Sequence, residues 1–348
     1  MIISGRLRIG LDVPPVIVAE LSGNHNGSID RALAIVDAAA DAGAHAVKLQ
    51  TYSADTMTLD IAGSEFTIDD PKSLWNGRTL YDLYSEAATP WDWHEALFRR
   101  AEERGLACFS TPFDETAIAF LERFNPPLYK IASFELTDLR LIAAVARTGR
   151  PMIVSTGMAR IAEIDEAVQT ARANGARDLV LLKCTSTYPA SPENSNIATI
   201  PHLRELFGCE VGLSDHTFGI GVAVASVVLG ATVIEKHLTL ARADGGIDAA
   251  FSMEPAEFAA LTMEAERAWR GRGTIQYGAS AAEQASLKFR RSLYIAEDVA
   301  AGEAFTASNV RIIRPGFGLA PKHYDSIIGR RARVALRRGT ALSWDAVQ

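Results

Sequence analysis

Short runs of apolar and often β-branched residues recur along the first two-thirds of the chain, and each run is continuous rather than alternating with polar residues. The eight runs span residues 16–21, 46–50, 107–113, 128–133, 151–157, 179–185, 209–215 and 232–237. Strands that are buried on both faces of a parallel sheet have this continuous pattern. The sequence therefore predicts eight buried parallel strands.

Helical spacing fills most of the intervals between these runs. Residues 31–44 (RALAIVDAAADAGA) and 163–176 (EIDEAVQTARANGA) are rich in alanine and end in a Gly-Ala pair that would stop a helix. Eight strand–helix units over about 250 residues are what a TIM (β/α)8 barrel requires. A doubly wound open sheet is the competing architecture, but no glycine-rich dinucleotide fingerprint accompanies the strands.

Two stretches depart from this rhythm. A long insertion between residues 51 and 90 follows the second predicted strand, and an insertion at the carboxyl end of a barrel strand usually shapes the active site. After about residue 278, alternating short strands, glycine turns and many arginines predict a small β-rich module. The predicted domains are a barrel over residues 1–278 and the module over residues 279–348.

Charge and composition argue against several classes of protein. The net charge of −7 disfavours nucleic acid as the main partner, since a phosphate backbone attracts a basic surface. No apolar run approaches the roughly 20 residues that span a bilayer, so no membrane partner is expected. Cys108, Cys184 and Cys209 are too scattered for a disulfide frame, and a reducing cytoplasm is the expected location.

Polar residues cluster where the predicted strands end, and a TIM barrel carries its catalytic groups at that edge. They include Glu20, Lys48, Gln50, Thr111, Lys130, Ser133, Glu135, Ser155, Ser186, Tyr188, Ser214, His216, Glu235 and His237. Lys48 and Lys130 lie in apolar runs and need an anion nearby, because burying an unpaired ammonium is costly. Structural ion pairs with Glu20 or Glu135 would supply one. Two lysines among several hydroxyls also predict a site for phosphate or carboxylate.

Two of the few histidines, His216 and His237, occupy equivalent points at the ends of neighbouring strands. They are either two core imidazoles or the ligands of one divalent ion. Because lysines, hydroxyls and carboxylates surround the two histidines, we expect a catalytic Mn²⁺, with Mg²⁺ or a similar ion such as Co²⁺ as alternatives. Water and substrate oxygen would fill the remaining coordination positions of the ion. The lysines also leave open a Schiff-base aldolase, which needs no metal.

Eight motifs, in chain order, resemble the sialic acid synthase family. They are AELSGNHNGS, KLQTY, STPFD, YKIASFE, STGM, CTSTYPA, GLSDHT and EKHLT. The C-terminal module resembles the antifreeze-like (SAF) domain of the same family. The resemblance implies a metal-assisted enzyme that condenses phosphoenolpyruvate with an amino-sugar aldehyde and releases phosphate. It also implies a domain-swapped homodimer, in which each SAF domain reaches over the partner's barrel.

The resemblance also implies roles for individual residues. Glu20, Glu135 and Asp248 would handle protons, and His216 and His237 would hold the metal. The expected phosphoenolpyruvate ligands are Lys48, Thr111, Lys130, Ser133, Ser155, Ser186 and Ser214. The expected sugar ligands are Gln50, Tyr188, Asp248, Phe289 and Arg314, with the last from the SAF domain of the partner. Tyr81, Tyr84, Trp91 and Phe289 are expected to form apolar walls for the methyl and acetamido groups of the sugar.

Within the family, the insertion and the segment GGIDAAFSMEP most resemble the branch whose sugar is 2,4-diacetamido-2,4,6-trideoxy-L-altrose. The same condensation on a mannosamine-type sugar, as in N-acetylneuraminate or legionaminate synthesis, is the alternative. A non-catalytic sugar-binding protein is the alternative from another class, but it has no use for two lysines and a histidine pair at one mouth.

Overall fold

The computed structural model describes residues 1–348, apart from the side chain of residue 64. The strands are β1 Ile2–Ser4, β2 Leu7–Ile9, β3 Val16–Glu20, β4 Ala46–Thr51, β5 Ala107–Pro112, β6 Tyr129–Ile131, β7 Met152–Ser155, β8 Leu179–Cys184, β9 Glu210–Ser214, β10 Val233–His237, β11 Ser292–Ile295 and β12 Val310–Ile313. The helices are α1 Ile29–Asp41, α2 Ala54–Met57, α3 Leu80–Ala87, α4 His94–Glu103, α5 Glu115–Leu121, α6 Leu139–Arg147, α7 Ile161–Ala173, α8 Thr199–Phe207, α9 Gly221–Val228, α10 Pro255–Arg272 and α11 Tyr324–Ile327.

Strands β3 to β10 form a closed barrel in which every neighbouring pair is parallel. The barrel closes between β10 and β3, with His237 opposite Glu20 and Val233 opposite Val16. The predicted TIM barrel is confirmed, and the open sheet is excluded. The bounds of each predicted run lie within two residues of an observed strand.

Alternation along each strand separates the inside of the barrel from the layer of helices. Val16, Val18 and Phe109 belong to an apolar cluster inside the barrel. Ile17 and Ala19 belong to the cluster that packs against the surrounding helices. Because side chains alternate with a period of two, the inward positions continue from Val18 to Glu20. The interior is therefore apolar at the amino ends of the strands and polar at the carboxyl ends.

The N-terminal hairpin of β1 and β2 closes the apolar end. Ile2, Leu7 and Ile9 are buried in the same cluster as Phe109. Gly5 has φ +56° in the connecting turn, a conformation that glycine adopts at little cost. With this end closed by apolar packing, the carboxyl ends of the strands form the mouth.

The second compact unit spans Thr274–Gln348 and follows the unit Met1–Gly273. Strands β11 and β12 pair antiparallel, and isolated bridges such as Val299 with Leu336 extend the β structure. Leu293, Phe305 and Leu342 are fully buried in its core. The predicted β-rich module is therefore confirmed as a fold, whereas the predicted domain boundary after residue 278 stays a prediction.

Within the part of the chain that the structure describes, no helix combines the length and the apolar character needed to cross a membrane.

Candidate active site

A cavity of about 910 Å³ opens at the carboxyl ends of the barrel strands. Several predicted site residues line it, namely Gln50, Glu135, Ser186, Tyr188, His237 and Asp248. Its volume lies toward the upper end of the range for small-molecule sites, about 300 to 1,000 Å³. The cavity is therefore large enough for two small substrates together.

Lys48 lies inside the barrel in contact with two carboxylates. Its Nζ forms an ion pair with Glu20 and lies 3.8 Å from Oε1 of Glu235. It also donates to Oγ1 of Thr111 at 3.4 Å. Ser214 Oγ donates to the same Glu235 oxygen at 3.1 Å. The structural ion pair considered for Lys48 thus exists, and it lies among predicted substrate ligands rather than in an apolar core.

The two carboxylates that share Lys48 differ in pKa. Burial raises the pKa of Glu20 to about 7, although Lys48 opposes the shift. Burial also acts to raise the pKa of Glu235, but Lys48 and Lys130 outweigh it and the pKa is lowered. The charged form is thus favoured for Glu235, and the raised pKa makes Glu20 the carboxylate better suited to exchange a proton near neutral pH.

Lys130 has a different environment, made of oxygen acceptors without a formal charge. Its Nζ donates to Oγ of Ser155 at 2.7 Å and to the carbonyl oxygen of Ile131 at 2.8 Å. Among the described side chains it forms no ion pair with Glu135. Burial, together with the charge of Lys48, lowers its pKa. A buried ammonium without a paired carboxylate favours an anionic ligand.

Gly157 holds the hydroxyls beside Lys130 in place. Its N–H donates to Oγ of Ser133 at 3.0 Å. A Cβ atom here would lie 2.2 Å from Oγ of Ser186 and 2.7 Å from Oγ of Ser133. Only glycine leaves room for both hydroxyls. Ser133, Ser155 and Ser186 therefore form, with Lys130, a cluster of donors that suits an anion with several oxygens.

His216 and His237 converge at the mouth, with ring centroids 5.4 Å apart. His216 Nδ1 lies 3.0 Å from the carbonyl oxygen of Thr185, so this nitrogen carries the proton and donates it. Burial acts to lower the pKa of His216, but Cys184, whose Sγ lies 4.0 Å from Nδ1, outweighs it and the pKa is raised. Nε2 therefore has a lone pair for a metal only in the neutral form of the ring. The Nδ1 atom of His237 is buried and has no hydrogen-bond partner among the described residues. The alternative of two satisfied core imidazoles does not fit His237.

These features fit the donor set of a divalent ion. Burial, followed by the charge of His216, lowers the pKa of His237 well below its usual range, and a neutral imidazole is the form that binds metals. A backbone carbonyl that fixes the second nitrogen, as in His216, is common for metal-binding histidines. Among the described residues no cluster of three or more His, Cys, Asp and Glu side chains is arranged to hold a metal. An ion here would depend on two imidazoles, with water and substrate as further ligands.

Asp248 connects the mouth to Glu20 through hydrogen bonds. Its Oδ2 accepts from the hydroxyl of Ser22 and from the N–H of Gly23, the latter at 3.1 Å. Gln50 Nε2 donates both to Oγ of Ser22 at 3.1 Å and to Oε1 of Glu20 at 3.2 Å. Burial raises the pKa of Asp248 in spite of these donors. A ligand held by Gln50 and Asp248 would thus lie next to Glu20.

Glu135 also lines the cavity. Its Oε2 is buried and has no hydrogen-bond partner among the described residues. Burial raises the pKa of Glu135 to about 7, although Lys130 opposes the shift. At neutral pH this carboxyl group is protonated about half of the time, and it can donate a proton.

The aromatic residues divide into those at the cavity and those elsewhere. The ring of Tyr188 contacts that of His216 at a tilt of 54°, with 4.5 Å between ring centroids, and Tyr84 lines the cavity. Tyr81 instead donates to Asp55 at 3.1 Å, and Trp91 packs on Phe120 at 4.6 Å. Tyr81 and Trp91 are not among the residues that line this cavity, and Trp91 fits the alternative of packing in the core.

Phe289 and Arg314 belong to the second unit, where both side chains are exposed. Gly316 N–H donates to the carbonyl of Lys288 at 2.9 Å, so the segments that carry the two residues are adjacent. Ser292 fixes the same loop through bonds to Pro315 and Gly318. Their predicted contact with a sugar stays a prediction.

Comparison with known proteins places this site in a family. Residues 35–277 match the NeuB family model, and residues 290–348 match the SAF domain model. The chain belongs to the NeuB family. The predicted enzyme of the sialic acid synthase family, with its C-terminal SAF domain, is therefore confirmed.

Two pseudaminic acid synthases are similar to this NeuB-family chain over almost its whole length. That of Campylobacter jejuni is 42% identical over 94% of this chain and 94% of its own length. That of Helicobacter pylori is 40% identical over 96% of this chain and 98% of its own. Among solved structures, the N-acetylneuraminic acid synthetase of Leptospira borgpetersenii has a TM-score of 0.74 and 31% identity, covering 83% of this chain and 95% of that one.

Sequence reasoning about this NeuB-family chain missed the roles of three residues at the mouth. Glu235 is a second carboxylate near Lys48, together with Glu20. The available signal was the alternation of side chains along β10, which directs Glu235 to the inside of the barrel. Gly157 lies in the STGM motif, but its close approach to two hydroxyls depends on three separate strands. Trp75 lies in the insertion, whose conformation no periodic pattern predicted.

Proposed function

We propose that this chain condenses phosphoenolpyruvate with 2,4-diacetamido-2,4,6-trideoxy-L-altrose, giving pseudaminic acid and inorganic phosphate. One observation carries the proposal. The carboxyl ends of the barrel strands carry two buried lysines with their hydroxyls, two histidines 5.4 Å apart and the carboxyl groups of Glu20, Glu135 and Asp248, and Glu135, His237 and Asp248 line one cavity there. Identity of 40% or more to two pseudaminic acid synthases, against 31% to an N-acetylneuraminic acid synthetase, favours this sugar.

The two anionic groups of phosphoenolpyruvate match the two lysine environments. Lys130, with Ser133, Ser155 and Ser186, offers several donors and suits the phosphate, which has three terminal oxygens. Lys48 with Thr111 offers fewer donors and suits the carboxylate. Ser214 belongs to the Lys48 group, because its hydroxyl donates to Glu235, which lies near Lys48. This assignment uses all seven predicted ligands without leaving a buried ammonium unpaired.

The sugar aldehyde would lie between Gln50, Asp248 and Tyr188, which line the cavity together with His237. His216 and His237 would hold a divalent ion, Mn²⁺ in our expectation, and such an ion would polarise the aldehyde oxygen when bound. Asp248 accepts from Ser22 and Gly23, so its remaining oxygen is available to orient a sugar hydroxyl.

The proposed reaction needs one proton donor and one proton acceptor. The methylene carbon of phosphoenolpyruvate bonds to the aldehyde carbon, and the aldehyde oxygen takes a proton from Glu135. Water then adds to the resulting oxocarbenium carbon and gives a proton to Glu20. Phosphate then leaves with the bridging oxygen and takes the proton of the new hydroxyl group, so the carbon–oxygen bond breaks and a keto acid remains. Both carboxyl groups have a pKa of about 7, which suits these opposite roles.

The alternatives receive less support from the site. A Schiff-base enzyme needs a neutral lysine. Burial acts to lower the pKa of Lys48, but Glu20 and Glu235 outweigh it and raise the pKa. Lys130 has a lowered pKa but is held by Ser155 and a carbonyl. A non-catalytic sugar-binding protein does not need carboxyl groups that exchange protons near neutral pH.

We also propose a cytoplasmic homodimer in which Arg314 and Phe289 of one subunit serve the barrel of the partner. The free cysteines Cys108, Cys184 and Cys209 support a reducing location. The exposed Arg314, in a loop that Ser292 holds rigid, supports a contact outside its own unit.

A small panel of aldehydes tests the substrate directly. Purified protein with Mn²⁺ and phosphoenolpyruvate should release phosphate with the trideoxy sugar at a kcat/KM at least about tenfold above that with N-acetylmannosamine, the difference expected for a few apolar contacts. Equal or higher efficiency with a mannosamine-type sugar would contradict the proposed substrate. Absence of phosphate release with any aldehyde would contradict the enzymatic proposal as a whole.

A further inference from the structure

The cavity at the mouth is lined by both the barrel and the insertion. The barrel and its loops contribute the polar groups of Glu135, His237 and Asp248, besides apolar residues such as Phe134. The insertion contributes the polar Asp70, Lys72 and Ser73 and five apolar side chains, those of Met57, Ile68, Trp75, Leu80 and Leu83. We name these five residues the insertion wall. An apolar wall facing a polar reaction centre indicates that part of the substrate is apolar.

Trp75 ties the insertion wall to the barrel side of the cavity. Its indole Nε1–H donates to the carbonyl oxygen of Ile247 at 3.1 Å, next to Asp248. Its ring lies 6.0 Å from that of Tyr188. The neighbouring Leu74, in contrast, is 49% exposed and does not line the cavity. Trp75 is thus positioned across the cavity by bonds that leave its ring free to contact a ligand.

Several contacts hold the rest of the insertion in place. Helix α3 carries Leu80 and Leu83, and the carbonyl of Ala87 at its end lies 3.3 Å from Nε2 of the buried His25. Thr67 and Thr79 form a β-bridge that closes the loop containing Trp75. The wall is therefore preformed, and a preformed apolar surface discriminates between ligands without a large ordering cost.

The orientation of the sugar follows from the proposed function. Its aldehyde carbon must reach the side of Glu135 and His237, so the far end of the sugar must face the insertion wall. In the proposed substrate that far end carries the C6 methyl and the acetamido group at C4. N-acetylmannosamine has hydroxyl groups in both places, and burial against an apolar wall would leave those hydroxyls unpaired.

We propose that the insertion wall, with Trp75 as its principal residue, is a subsite that selects the aldose by the methyl groups of its C6 and C4 substituents. This inference rests on the proposed function and adds the residues that choose the sugar. One methyl group in an apolar pocket changes kcat/KM by about 10- to 200-fold.

The test pairs two sugars with a set of variants. The sugars are the 2,4-diacetamido-2,4,6-trideoxy aldose and its counterpart with a hydroxyl at C6. Wild-type protein should prefer the deoxy sugar by about tenfold or more in kcat/KM. Trp75→Ala and, independently, Met57→Ser should lose most of that preference. Trp75→Phe should keep much of it, because a ring remains, and Leu74→Ala is the matched control that should keep all of it.

The KM for phosphoenolpyruvate separates a local effect from misfolding, since the insertion wall is not part of the proposed phosphate cradle. The KM for phosphoenolpyruvate should stay within about twofold of the wild-type value in every variant. If Trp75→Ala misfolds and this KM changes, Met57→Ser and Trp75→Phe decide the question. An unchanged sugar preference in variants that still bind phosphoenolpyruvate would overturn the subsite alone. Wild-type protein that turns over neither sugar would instead overturn the proposed function, and the subsite with it.

Discussion

Replacing Glu20 with glutamine is expected to lower kcat by about 100- to 10,000-fold, the usual contribution of a general base. Glutamine keeps the size and the hydrogen bond from Gln50, but it cannot accept a proton from water and it leaves Lys48 without this carboxylate. Glu235 remains near Lys48, at 3.8 Å, so the barrel interior keeps one compensating charge. The variant should therefore fold and still bind phosphoenolpyruvate.

The pH profile identifies the role of Glu20 more sharply than the loss of rate. A group that must be ionised causes activity to fall as pH decreases through its pKa, and a group that must be protonated causes activity to fall as pH increases. With both Glu20 and Glu135 at a pKa of about 7, kcat/KM should peak near pH 7 and fall on both sides. Glu20→Gln should remove the acidic limb, and Glu135→Gln should remove the alkaline limb.

If Glu20→Gln instead removed the alkaline limb and Glu135→Gln removed the acidic limb, Glu20 would be the acid and Glu135 the base. An acidic limb that survives unchanged in Glu20→Gln would contradict this residue as the base. The matched control is Glu65→Gln, an exposed carboxylate of the insertion that does not line the cavity. It should leave both limbs in place.

Replacing His237 with alanine is expected to lower kcat by about a thousandfold or more. Polarisation of a carbonyl by a divalent ion contributes several kcal/mol, and each 1.4 kcal/mol is about a factor of ten in rate. His237 supplies one of two imidazoles, and its Nδ1 is buried without another partner among the described residues. Alanine leaves His216 alone, and a single imidazole does not retain a divalent ion tightly.

Titration with Mn²⁺ in the absence of substrates gives an independent measurement of the same change. Wild-type protein should bind one ion, and His237→Ala and His216→Ala should each lose most of this affinity. The control is His202→Ala, since His202 is exposed on α8. Metal-dependent turnover that persists in His237→Ala would show that the ion, if bound, lies elsewhere.

The barrel was predictable because its strands lie in continuous apolar runs of five to seven residues bounded by helical stretches. Residues 46–50 and 179–185 illustrate this, and both coincide with observed strands. The polar ends of these strands were also visible, because Lys48 and Lys130 interrupt apolar runs. Topology alone then brings them together, since parallel strands in a barrel place their carboxyl ends around one mouth.

Other parts of the structure left little signal in the sequence. The hairpin of β1 and β2 rests on short strands whose buried residues, Ile2, Leu7 and Ile9, need the barrel interior as a partner. The insertion has no repeating pattern, and its form depends on distant contacts such as that of Trp75 with Ile247. Such contacts join residues far apart in the chain, and only the folded barrel defines their spacing.

Besides the two lysines at the mouth, the sequence places another lysine in a predicted strand nearby, and its charge does not reveal that it lies outside the site. Lys236 lies between Glu235 and His237, but the alternation of side chains along the strand directs it away from the barrel interior. There its Nζ donates to Asp215 at 2.8 Å and to the carbonyl oxygens of Thr217 and Gly219. It holds the loop that carries His216 and does not face the cavity. Alternation along the strand, not residue type, separates this structural ion pair from the site.

The central claim is that this mouth joins phosphoenolpyruvate to a sugar aldehyde by breaking the carbon–oxygen bond to phosphate. The most direct measurement uses phosphoenolpyruvate labelled with ¹⁸O in the bridging oxygen, with the trideoxy aldose as the second substrate. The account predicts that the label leaves with inorganic phosphate, which mass spectrometry or ³¹P NMR detects, and that the nonulosonic acid carries none of it. Label retained in the sugar product, or a nine-carbon product formed without phosphate release, would contradict it.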